Sequence, residues 1–82
     1  MNIYDKMRNK ISCLTDKNKT VVYYTGDLAS LSHSASVKLL HDAFTSWCQM
    51  LVAKGKYTFV QKKVGIGADG KTEYDYIAIK IK

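Results

Sequence analysis

A chain of 82 residues has room for one domain, and its 46% apolar and 24% charged residues exclude a disordered chain. No apolar run approaches the roughly 20 residues that span a bilayer, and the N-terminal MNIYDKMRNK lacks the apolar stretch of a signal peptide. The expectation is a single cytoplasmic domain, residues 1–82, with no membrane contact. The formal net charge of +6 points to an anionic partner such as nucleic acid. Twelve of the 13 basic residues are lysine and only Arg8 is arginine, the residue that makes the commonest specific base contact.

In chain order, Ile3, Met7, Ile11 and Leu14 recur at spacings of four, four and three, which predicts a first helix capped by Asn2. The polar segment TDKNKT, 15–20, ends it. Residues 20–25, TVVYYT, are β-branched and aromatic and predict a strand. Both of its alternating sets carry apolar bulk, as in a strand buried on two faces or one whose tyrosines keep a hydroxyl at the surface. Gly26 permits a sharp turn, and Thr25 or Asp27 is placed to cap a short second helix starting at Leu28. Ser32, His33 and Ser34 interrupt that helix.

A third helix is expected from about Ser34, its stripe formed by Val37, Leu40, Phe44, Trp47 and Leu51. Gly55 suits its C-terminal cap, with Lys54 and Lys56 near the negative helix end. Two strands follow, YTFVQKKV at 57–64 and EYDYIAIKIK at 73–82, joined by the glycine-rich GIGADGKT. The order helix–strand–helix–helix–strand–strand predicts an α+β fold, a winged helix-turn-helix with a three-stranded antiparallel sheet. The early strand then adds to the late hairpin.

The stretch TGDLASLSHSASVKLLHDAFTSWCQMLVAKG resembles the second and third helices of winged-helix regulators. More narrowly, VVYYTGDLA, KGKYTFVQKKVG and YDYIAIK are similar to a group of small phage- and prophage-encoded proteins. The resemblance implies a mobile-element origin. On the winged-helix reading, double-stranded DNA is met by the start of the third helix, with Ser34, Ser36, Lys38, His41 and Thr45 against base edges. Lys62, Lys63 and Lys71 of the wing then reach phosphates, together with N–H groups of Gly65, Gly67 and Gly70. The plainer readings are helix caps for the two serines, solvated positions for Lys38 and His41, and solubility for the hairpin lysines.

Catalysis has little support. His33 and His41 have no carboxylate at metal-ligand spacing, and Cys13 and Cys48 lack a CxxC pattern. The glycines of GIGADG precede a strand rather than opening a helix, so they are not a dinucleotide fingerprint. No enzyme, cofactor or metal is expected. The functional expectations are three: a DNA-binding phage regulator, a phage-encoded inhibitor that docks on a host or defence protein complex, and an assembly module acting as a homodimer. The many tyrosines favour the second, because tyrosine is enriched at protein interfaces.

Overall fold

The computed structural model describes residues 2–31 and 34–82, side chains at 29 and 30 excepted. Helix α1 spans Ile3–Ser12 and strand β1 Thr20–Gly26. A single 3-10 turn covers Leu28–Leu31, helix α2 runs Ala35–Ala53, and strands β2, Tyr57–Ile66, and β3, Thr72–Lys80, close the chain. The sheet is antiparallel in the order β1-β3-β2, so the early strand pairs with the last one.

This corrects the three-helix, winged helix-turn-helix expectation. The segment after Gly26 makes four residues of 3-10 helix, not an α-helix. So short a piece gains too few hydrogen bonds to offset the cost of helix nucleation, and a 3-10 turn is what such pieces adopt. Thr25 does not cap it either: its hydroxyl donates 2.8 Å across the sheet to the Asp75 carboxylate. The Leu28 N–H instead donates to the Tyr76 hydroxyl at 3.0 Å, which anchors the turn on the sheet. The interruption expected at Ser32 and His33 lies outside the described residues.

Both helices are capped as their sequences dictate. The Asn2 side chain accepts from the Asp5 N–H, and the Ser34 side chain from the Val37 N–H. Beyond α2, Gly55 adopts φ 71°, the Gly55 N–H donates to Val52 and the Lys56 N–H to Leu51. This is a Schellman ending, which needs a residue tolerant of the left-handed region. The helices are parallel, for contacts advance in the same sense along both: Tyr4 meets His41 and Phe44, and the Arg8 guanidinium lies 5.8 Å from the Trp47 ring.

The two faces of the sheet differ in chemistry. Tyr57, Phe59, Tyr74, Tyr76 and the fully buried Ala78 face the helices. Thr58, Val60, Ile77 and Ile79 face away, and Val22 and Val60 on that side remain 43% and 44% exposed. A register shift between Val22 and Tyr24 marks a β-bulge at Tyr23. The bulge explains why both alternating sets of this strand are bulky. Tyr23 and Tyr24 both turn to the helix side, where each meets the Tyr76 ring at 6.3 and 5.8 Å.

The core joins Met7, Ile11 and Leu14 to Tyr23, Phe44, Tyr76 and Ala78. Ile11 is fully buried there, whereas Ile3, on the same sequence stripe, is 39% exposed. Ile11→Ala is expected to cost about 2–5 kcal/mol in urea denaturation followed by Trp47 fluorescence. Ile3→Ala is expected to stay within about 1 kcal/mol.

Candidate docking site

The residues expected to read DNA do not form one surface. Ser34 is occupied as the α2 cap, and its hydroxyl lies 3.3 Å from that of Ser36. His41 is half-buried against α1, its Nδ1 3.4 Å from the Tyr4 hydroxyl and its ring edge-on to Tyr4. Lys38 and Thr45 are exposed, two turns apart on α2. Lys62 and Lys63 are consecutive strand residues and therefore point to opposite faces of the sheet. In the hairpin loop the Gly67 N–H donates to Lys71 and the Gly70 N–H to Gly67, so the turn itself consumes two of the three glycine donors expected for phosphate. The Lys71 N–H donates to the Asp69 carboxylate, and Asp27, Asp69 and Glu73 share the hollow that Lys71 lines. Lys71 is thus set among carboxylates, where a phosphate-binding wing needs unopposed positive charge.

What the fold assembles instead is an open apolar groove of about 490 Å³ between α2 and the sheet. Its floor is Tyr23, Phe44 and Tyr76. One wall is Phe59 of β2, and the other is the second half of α2, where Cys48, Gln49, Val52 and Ala53 project. The groove exists because α2 turns its Phe44–Leu51 stripe toward the core, and α1 covers β1 rather than β2. Residues 44–53, FTSWCQMLVA, contain no charge, so the second half of α2 is apolar or neutral on the side turned away from the core. Leu39, Met50 and Val52 stay 72%, 43% and 48% exposed. Apolar spacing reveals the buried stripe but not this groove, whose walls come from segments far apart in the chain. The missing charge along 44–53 is the sequence signal that points to it.

Lysines collect at one end of the sheet. Lys17 and Lys19 precede β1, Lys54 and Lys56 join α2 to β2, and Lys80 and Lys82 end or follow β3. Backbone bonds knit the three segments: the Lys80 N–H donates to Lys19 at 2.7 Å, and the Ile81 N–H to Lys56 at 2.8 Å. Asp16 is paired with Lys80 at 3.3 Å. Both parallel helices point their negative ends this way, so the lysines also complement the two macrodipoles.

Among the described residues, no group of three or more histidines, cysteines or carboxylates is placed to hold a metal ion, and no helix is long and apolar enough to cross a membrane. Burial pushes the Cys48 thiol up to about 12, and burial also raises the neighbouring Tyr23 hydroxyl, followed by the influence of Cys48 and Tyr76. A raised thiol is protonated at neutral pH and is a poor nucleophile. Both groups bind their proton more tightly when folded, so their stabilisation is complete below pH 9 and is lost at higher pH, for Cys48 as pH climbs through about 12. Urea midpoints are expected to fall between pH 9 and 11, and iodoacetamide at pH 8 to label exposed Cys13 well before Cys48. Compared with known proteins, the chain matches no family model, no curated sequence and no solved structure.

Proposed function

We propose that this protein is a binding module that docks on another protein through the groove between α2 and β2, and that it carries no catalytic activity of its own. The groove carries the reading. Its volume lies within the range of recognition pockets, its lining is aromatic and aliphatic, and polar Thr45 and Gln49 sit at its rim. The raised Cys48 thiol argues for a packed wall rather than a nucleophile. A phage-borne inhibitor of a host or defence complex is one biological setting that fits such a module.

A second reading rests on the lysine cluster. Six lysines drawn from three separate segments, with Asp16 paired among them, suit a polyanion such as the phosphate backbone of DNA. With lysine alone, such binding follows charge rather than sequence. This moves the nucleic-acid reading from the start of α2 and the hairpin loop to the opposite end of the sheet.

Two outcomes are expected. Peptides enriched by panning a displayed library on the intact protein bind at least about tenfold more weakly to Val52→Asp, with the circular dichroism spectrum unchanged. Enrichment indifferent to Val52 would remove the groove from the account. In fluorescence anisotropy with a 20-base-pair duplex at low salt, the triple variant Lys17→Gln, Lys19→Gln, Lys56→Gln weakens binding and lowers the salt slope by about one per phosphate-contacting lysine removed. Lys62→Gln with Lys63→Gln leaves it nearly unchanged. No binding tighter than about 10⁻⁴ M by the parent protein would sink the second reading.

A further inference from the structure

One wall of the groove is an edge strand. Among the described residues β2 pairs only with β3, so its other edge offers backbone N–H and C=O groups without a strand partner. The regular edge is bounded. It begins at Tyr57, after the Gly55 turn, and ends at Lys63, where a register shift before Gly65 marks a second bulge. Along it Phe59, Gln61 and Lys63 turn to the groove side, and Thr58, Val60 and Lys62 to the other.

We propose that this edge takes an extended segment of a partner protein as a fourth strand, the segment being apolar at alternate central positions and acidic at both ends. The proposal rests on the docking reading above and specifies its chemistry. Charge selects the partner. Residues 54–63, KGKYTFVQKK, hold four lysines and no carboxylate, with the lysines at the two ends and aromatic and aliphatic residues between. An acidic–apolar–acidic strand is the complement of that pattern. A second copy of this chain is its opposite. Antiparallel pairing of two β2 edges brings Lys62 and Lys63 of one copy toward the Lys54 and Lys56 end of the other, and like charges across a strand pair are destabilising.

Dimensions favour a strand over a helix. The α2 wall from Thr45 to Ala53 is nine residues, about 12 Å from first to last. Same-face side chains of an extended segment recur about every 7 Å, so two of them fill this length beside Phe59 and Val52. The strand also pairs the open backbone groups of β2, whereas a helix, about 10 Å across, leaves them unpaired. Peptide addition between a strand edge and a facing helix gives affinity from the main chain and selectivity from the pocket.

The test uses the blocked octapeptide Asp-Glu-Val-Phe-Val-Leu-Asp-Glu and the full ¹⁵N-labelled chain, followed by amide NMR. Saturable binding below about 1 mM is expected, with shifts and slowed exchange along residues 57–63. Replacing the four acidic residues by lysine is expected to weaken binding at least about tenfold. Of two peptides N-methylated on alternate residues, one per set, one is expected to lose binding and the other to keep it. The exposed double variant Lys62→Glu, Lys63→Glu, checked for folding by circular dichroism, keeps Lys54 and Lys56 and is expected to abolish the preference for the acidic over the lysine-substituted peptide. If both N-methylated peptides bind as the parent does, or if shifts spare β2, strand addition is overturned. If a helix-forming apolar peptide binds in a Val52-dependent way while the octapeptide does not, the groove remains a docking site and only the strand mode falls. If neither probe binds, both readings fall.

Discussion

The contact on which the rest of the molecule hangs is Tyr23 beneath α2. Its ring lies 6.0 Å from Phe44, 6.1 Å from Phe59 and 6.3 Å from Tyr76, so one side chain of β1 touches the long helix and both other strands. Aromatic pairs at these separations add modestly to the burial itself, and removing the ring from water stabilises more than the ring geometry does. Alternation from Val21 already places Tyr23 on this side, and the bulge turns Tyr24 to it as well, so two consecutive tyrosines pack on Tyr76. Without it, Tyr24 faces away from the helices.

From that contact the division of labour between the faces follows. The helix side of the sheet is aromatic, with the small Ala78 at its centre so that rings can close over it. The far side is threonine, valine and isoleucine, residues that hold a pleated surface together without burying much of it. Helix α1 lies against β1 and α2 against β2, and Phe59 on the inner side of β2 stays only partly buried. The groove follows from two helices spanning three strands unevenly, and the open edge from the place of β2 in the strand order.

Charge is distributed along the strand direction. Lysines gather where both helices end, and Asp27, Asp69 and Glu73 gather where the hairpin loop meets the end of β1. Parallel helices make this arrangement favourable, since their dipoles add instead of cancelling. The net charge of +6 is thus unevenly spread, with nearly unopposed lysine at one end and carboxylates mixed with Lys62, Lys63 and Lys71 toward the other. That is why the hairpin lysines, read alone, point to a phosphate-binding wing, while the fold sets Lys71 among carboxylates.

Local pattern by itself determined α1, α2 and the three strands. Four-and-three apolar spacing, β-branched runs, the Asn2 and Ser34 caps and the Gly55 stop are all near-neighbour chemistry, and each acts whatever the rest of the chain does. Local pattern also misled at Leu28–Leu31, where two leucines and an alanine read as a helix: a stretch that short has no intrinsic stability, and its anchor, the Tyr76 hydroxyl, lies 48 residues away. Element order pointed to β1 joining the late hairpin, but not to which of its two strands. Of the candidate site residues only Thr45 lines the groove. The choice of β3 as the partner of β1, the bulge at Tyr23, the placing of α2 over one side of the sheet, and hence the groove, the free edge and the lysine cluster, were decided by tertiary structure alone. Each depends on which distant surfaces exclude water from one another, and that free energy belongs to no single stretch of the chain.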